Sequence, residues 1–261
     1  MDHNEAGRYW NDSAESWTKL ARAGYDIYRN HLNTPAFFAI LPDVRGLFGL
    51  DIGCGEGFNT RLLADRGARM NAIDISPIFI AYAQQAESAE RKGAVYQVAS
   101  AVALPFADAV FDFAAAFMSL MDVPETELAL AESFRVLKPG GFLQFSIAHP
   151  CFDTPHRRNL RDEKHRTYAI EVGKYFDRSD GDIDEWLFKA APPEARQGLR
   201  KFRIPRFRRT LSFWLNLLID TGFRLEQVEE PHPSEEVVAD YPGLQDAQVV
   251  AYFLHLRARK P

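Results

Sequence analysis

The sequence predicts an α/β fold: a mostly parallel sheet with helices on both faces, closed by an antiparallel last strand. Three observations predict it. An apolar run over 47–52 ends in glycines at 53, 55 and 57, and a helical pattern follows over 59–66. Strand and helix patterns then alternate as far as residue 148, which is how parallel sheets are wound. Two further segments, 223–228 and 247–257, alternate apolar and polar residues and suit an antiparallel pair at a sheet edge.

Taken in order, residues 8–45 read as helices carrying an aromatic stripe of Tyr9, Trp10, Trp17, Leu20, Tyr25 and Tyr28. Pro35 opens a second helical segment, where proline is tolerated. Strand one is 47–52 and strand two is 69–73, ending at Asp74. Ser76 and Pro77 mark the cap and first turn of a helix reaching Arg91. Strands three and four cover 94–99 and 110–116. Pro124 opens a helix to 137, which stops at Lys138-Pro139-Gly140-Gly141. Strand five is 142–148. A helix over 210–221 ends at Gly222. Four regions result: a helical cap (1–45), a ligand-binding core (46–150), an inserted lid (151–209) and the rest of the sheet (210–261).

Composition narrows the function. With 261 residues, 46% of them hydrophobic, the chain can bury a core. A net charge of −5 argues against a general nucleic-acid binder. The segment 156–209 is different: 15 Lys and Arg against 9 Asp and Glu leave it at +6. Cys54 and Cys151 are too few for a disulfide framework and read as small buried fillers. The amino terminus shows no signal peptide and no apolar run is long enough to span a membrane, so the cytoplasm is the expected location. The seven histidines are scattered, without a pair on one helix face, and no metal site is expected.

The glycine turn carries the chemistry. Leu50-Asp51-Ile52-Gly53-Cys54-Gly55-Glu56-Gly57 lacks the G-x-G-x-x-G spacing of a dinucleotide site. Glycine at 53 and 55 lets a ligand approach the backbone. Asp51 stands before the turn, where it suits an ammonium group and opposes a phosphate. Asp74, about 20 residues on at the end of strand two, is placed to accept from ribose hydroxyls.

These residues resemble motif I of the class I S-adenosylmethionine-dependent methyltransferases, a Rossmann-like fold. The segments Ala103-Leu104-Pro105-Phe106, Phe111-Asp112 and Arg135-Val136-Leu137-Lys138-Pro139-Gly140-Gly141 narrow the resemblance to the ubiquinone/menaquinone-biosynthesis (type 11) subgroup. It covers about 45–148, with a weaker echo from Arg209 on. The resemblance implies S-adenosyl-L-methionine as cofactor and S-adenosyl-L-homocysteine as product. It implies that Gly53, Cys54 and Gly55 run under the cofactor's amino-acid end, with Asp51 at the ammonium. Asp74 would hold the ribose, Ile75 would cover the adenine, and Ser100 and Ala101 would meet its edge. Ser100 replaces the family's usual aspartate. Phe117 and Met118 would border the methyl group, and Trp17 (or Tyr9) would close the pocket.

On the acceptor side, His149 just past strand five is the first candidate base, because the carboxyl ends of central strands face the ligand crevice. Asp122, after strand four, is second. His156, Tyr168 and Tyr175 are further candidates for the acceptor pocket. The expected activity is methyl transfer to a small-molecule acceptor, with the positive balance of 156–209 pointing to one that bears a carboxylate or phosphate. Two alternatives stand beside it: a tRNA or RNA methyltransferase using the basic stretch 200–209, and a non-catalytic cofactor-binding protein. An NAD oxidoreductase is disfavoured by the glycine spacing and by Asp51.

Overall fold

The computed structural model describes residues 1–261. Helix α1 (His3–Arg22) is capped by Asp2, whose side chain accepts from Glu5 N. A π-helical turn (Arg29–Asn33) leads into α2 (Thr34–Ala39). The sheet is then laid down as β1 (Phe48–Ile52), α3 (Phe58–Asp65), β2 (Arg69–Asp74), α4 (Pro77–Glu90), β3 (Val95–Val98), β4 (Phe111–Phe117), α5 (Thr126–Val136) and β5 (Leu137–Ala148). Ser76 caps α4 through Phe79 N, with Pro77 in its first turn.

Beyond β5 come β6 (His156–Arg161), β7 (Thr167–Gly173), β8 (Asp182–Trp186), α6 (Pro193–Arg196) and β9 (Phe202–Arg206). The chain closes with α7 (Leu211–Thr221), β10 (Arg224–Glu229), α8 (Glu235–Asp240) and β11 (Phe253–Arg259). Seven strands form one sheet in the order β10-β11-β5-β4-β1-β2-β3, in which only β11 runs antiparallel to its neighbours. This is the architecture expected.

Two apolar layers cover the sheet. On one face Leu130 of α5 and Trp214 and Leu218 of α7 pack on Leu50, Phe111, Leu143 and Phe145. On the other, Phe37 of α2, Leu63 of α3 and Ile80 of α4 pack on Met70, Ala72 and Phe113. Burying each such side chain contributes roughly 1.5–3 kcal/mol.

Two expectations are corrected. Strand five begins at Leu137, not at 142. The Lys138-Pro139-Gly140-Gly141 segment forms a bulge against β4, and Gly140 N donates to Lys260 O at 2.9 Å. The last strand begins at Phe253, because Pro242–Gln248 form a 3-10 helix whose Gln245 and Asp246 bind Thr167 and Asn159. β10 and β11 form the expected antiparallel pair at the sheet edge, with β11 the inner of the two, and Phe253, Leu254, His255 and Leu256 are all buried.

Residues 151–209 showed no regular pattern in sequence, yet they fold as two antiparallel hairpins, β6–β7 and β8–β9. The second packs on α1: Trp17 lies 4.8–5.4 Å, centroid to centroid, from Trp10, Trp186, Phe188 and Phe202. The basic stretch 200–209 is largely paired within this segment, Arg203 with Glu185, Arg206 and Arg208 with Asp184, and Arg209 with Asp180. No helix is long and apolar enough to cross a membrane.

Candidate active site

One cavity of about 1550 Å³ opens at the carboxyl ends of β1, β2 and β4. It exceeds the ~300–1,000 Å³ that suits one drug-sized ligand. Trp17, Asp51, Gly53, Cys54, Gly55, Asp74, Ile75, Ser100, Ala101, Phe117 and Met118 all line it.

The turn after β1 is pinned to β2, since Gly53 N and Cys54 N both donate to Ile73 O, at 2.8 and 2.9 Å. Gly53 has φ +73°, and a Cβ there would stand 2.4 Å from Ser119 Cβ. At Gly55, also left-handed, a Cβ would meet nothing within 4 Å and would project into free space. The left-handed backbone favours glycine at both positions; packing against Ser119 adds to the demand at Gly53, and the space beside Gly55 is open.

Asp51 is buried. Thr60 Oγ1 donates to its Oδ2 at 2.5 Å, while Oδ1 has no partner. Burial above all, with a smaller push from Asp74, raises its carboxyl to about 7 against the bond from Thr60. A buried, half-satisfied carboxylate beside a glycine turn is complementary to a cation. Asp74 accepts from Gly55 N and Ser76 N, each at 2.8 Å, one on each oxygen. Each oxygen keeps a lone pair for a hydroxyl donor. Burial raises Asp74 to about 6, against the backbone donors. Burial also pushes the Cys54 thiol up, so it stays protonated. These groups fit an adenosyl amino acid: two acceptors in series and an open backbone cradle.

Helix α1 roofs this half. A Cβ on Gly7 would stand 2.8 Å from Ile75 Cδ1, so helix and Ile75 are in direct contact. Glu56, next in the turn, is buried among Arg22, Arg29 and Arg61, which ties the turn to the cap and to α3. Ser100 Oγ makes only a 3.4 Å contact with Val102 N. Met118 holds φ +55°, a left-handed conformation that costs a non-glycine residue about 1–3 kcal/mol, and its N donates to Ser146 O at 3.0 Å.

The acceptor candidates divide. Asp122 lines the cavity, is buried, and its Oδ1 has no partner. Burial raises it to about 7, with Arg206 pulling down and Asp153 pushing up. His149 does not line the cavity. Its Nδ1 accepts from Cys151 N at 3.2 Å and its Nε2 lies 2.6 Å from Glu230 Oε1. Both ring nitrogens are thus committed to the turn after β5, and His149 is corrected to a turn-fixing residue. His156, Tyr168 and Tyr175 also fall outside the lining. His156 pairs with Glu171, Tyr168 is exposed, and Tyr175 Oη accepts from Leu211 N. In their place the far end of the cavity carries Asp153, Arg157, Arg206, Arg208 and Tyr252.

Sequence reasoning passed over Asn33, Ser146 and His255, which form a buried hydrogen-bonded group at the cavity edge. The signal was a lone polar residue within the apolar run Phe253-Leu254-His255-Leu256.

Comparison with known proteins agrees with this geometry. Residues 50–145 match the family described as a methyltransferase domain. An O-methyltransferase of Penicillium expansum is 32% identical over 153 residues, 56% of this chain and 53% of that protein. A malonyl-[acyl-carrier protein] O-methyltransferase of Serratia marcescens is 33% identical over 97 residues, 37% of this chain and 36% of that protein. The match therefore spans about a third to a half of these curated relatives. The solved S-adenosylmethionine-dependent methyltransferase of Mesorhizobium loti superposes with a TM-score of 0.70 at 27% identity, over 86% of this chain and 96% of that one. The strand order, the glycine turn with its two acids and these likenesses agree: residues 50–145 match a methyltransferase domain, and the chain shares its fold with the solved S-adenosylmethionine-dependent methyltransferase on which it superposes.

Proposed function

We propose that the chain transfers the methyl group of S-adenosylmethionine to a small-molecule acceptor held in the outer half of the cavity. The observation that carries this reading is the unpartnered Asp51 Oδ1 beside the glycine turn, inside a cavity with room for two ligands. The cofactor supplies a methyl group on a sulfonium that leaves readily. Asp51 takes the ammonium, Asp74 the ribose, and Ile75, Ser100 and Ala101 the adenine. Phe117 and Met118 border the methyl, where an aromatic face and a thioether suit a sulfonium.

The outer half does the rest. Asp122 takes the acceptor's hydroxyl proton as the oxygen attacks. Arg157, which lies over the Tyr252 ring and has no carboxylate partner, favours an acceptor with a carboxylate or phosphate. Alignment and exclusion of water supply ~7–11 kcal/mol of the barrier when geometry is right. Residues 151–209 act as the lid. They line the cavity rather than fill it, which favours turnover over cofactor binding alone.

Calorimetry tests the cofactor assignment. The wild type is expected to bind S-adenosylmethionine and S-adenosylhomocysteine in the micromolar range and to ignore NAD, and Asp74→Ala should lose both ligands. Binding of NAD alone, or of nothing, removes the reading.

A further inference from the structure

A polar relay crosses the apolar layer between the cap and the sheet. His255 of β11 is fully buried, and its Nε2 lies 2.6 Å from Asn33 Oδ1. Burial holds the imidazole well below its usual range, at about 4, so the ring is neutral. Its Nδ1 has no partner, which puts the proton on Nε2, the nitrogen that meets Asn33. The amide is thereby oriented, oxygen toward His255 and nitrogen toward Ser146 Oγ at 3.3 Å. Ser146 Oγ also accepts from Met118 N at 3.2 Å. One N–H of Asn33 is used in this way, and the other has no protein acceptor.

A buried relay with an unsatisfied imidazole nitrogen is unfavourable for packing alone. Its position gives it a use. Asn33 lines the cavity at the end of a π-helical turn, a rare conformation that recurs at functional sites. Its neighbour Thr34 donates to Asn59 Oδ1 at 3.0 Å, and Thr60 donates to Asp51. Asn33, Asn59 and Asp51 therefore line one corner of the cavity. Arg29, which also lines the cavity, is already balanced by Glu56 at 3.7 Å and Asp26 at 3.9 Å, and it donates to Ala21 O. A zwitterionic amino-acid group needs an acceptor for its ammonium and a donor for its carboxylate. Asp51 is the first, and the spare N–H of Asn33 is the second.

We propose that Asn33 donates to the carboxylate of the cofactor's amino-acid end, and that His255 is a positioning residue holding the amide in that orientation. This rests on the cofactor reading above. The test compares two probes on the full chain, S-adenosylhomocysteine and 5′-methylthioadenosine, which lacks the amino-acid end. Asn33→Leu should weaken the first about tenfold or more, the loss of one charge-assisted hydrogen bond, and leave the second within about twofold. His255→Leu should do the same and serves as the second variant where Asn33→Leu fails to fold. His255→Gln keeps a donor for Asn33 and should restore binding. Equal weakening of both probes, or none for either, overturns the relay while leaving the cofactor reading intact. A wild type that binds neither probe overturns the cofactor reading itself.

Discussion

The two ends of the cavity are built differently. At the proposed cofactor end the glycine turn and its two acids come from one stretch of chain, Asp51 through Asp74, and backbone contacts set much of its geometry: two amides on Ile73 O and one on Asp74. The proposed acceptor end gathers Asp122, Asp153, Arg157, Arg206 and Tyr252 from four separate segments, held by side-chain ion pairs such as Arg206 with Asp184. A backbone-built site tolerates little variation and suits a ligand that never changes. A site assembled from side chains on hairpins can be reshaped without touching the core, and it suits a ligand that differs from enzyme to enzyme.

The sharpest way to separate the ends is Asp122→Asn. If Asp122 is the base, kcat should fall by roughly 10²–10⁴-fold while cofactor affinity stays within about twofold. The pH profile gives a second reading. Burial sets the carboxyl at about 7, and only the ionised form accepts a proton, so the wild-type rate should fall as pH drops through about 7. The asparagine variant should lack that limb. A variant with an unchanged rate and profile would show that orientation alone drives transfer.

The two hairpins of 151–209 repeat the contrast on a smaller scale. The β8–β9 hairpin is clasped to α1 by aromatic rings around Trp17. The β6–β7 hairpin is clasped to the 3-10 helix by polar bonds, with Asp246 accepting from Asn159 at 2.6 Å and Thr167 at 2.5 Å. Trp17→Ala should destabilise the chain by about 3–5 kcal/mol. Asp246→Ala should cost only about 1–3 kcal/mol, the penalty of donors left unpaired. Urea unfolding measures both. Limited proteolysis should open near 186–206 in the first variant and near 157–172 in the second. Equal losses would erase the distinction between an apolar and a polar clasp.

What could be read from the sequence follows the same division. The glycine turn, Asp51, Asp74 and the order of the central strands are local patterns, in which spacing along the chain is geometry in space. His149 misled because a strand end fixes where a residue stands but not which way its ring turns. The turn before Pro150 spends both nitrogens on Cys151 N and Glu230. Asp122 gained importance for a reason invisible in sequence: Arg206 and Asp153 act on it only through the fold of 151–209. The hairpins of 151–209 were hidden because most of their charges are paired across strands, which flattens the hydrophobic alternation that betrays a strand.

The finest test lies within the cofactor end. Asp51 ionises near 3.8 when unfolded and at about 7 when buried in the folded chain. The folded state holds the extra proton between those values, so Asp51 should make the free chain less stable as pH rises from about 4 to about 7, with no further change above. Ligand binding should show the opposite slope, because only ionised Asp51 pairs with an ammonium. S-adenosylhomocysteine should therefore bind about tenfold more tightly at pH 8 than at pH 6. Asp74, at about 6, adds a slope of its own through the ribose, and 5′-methylthioadenosine reports that slope alone because it has no ammonium. The ratio of the two affinities isolates Asp51. It should rise with pH in the wild type and stay flat in Asp51→Asn. A flat ratio in the wild type would place the ammonium elsewhere and leave the unpartnered Oδ1 as a feature of the fold, not of the ligand.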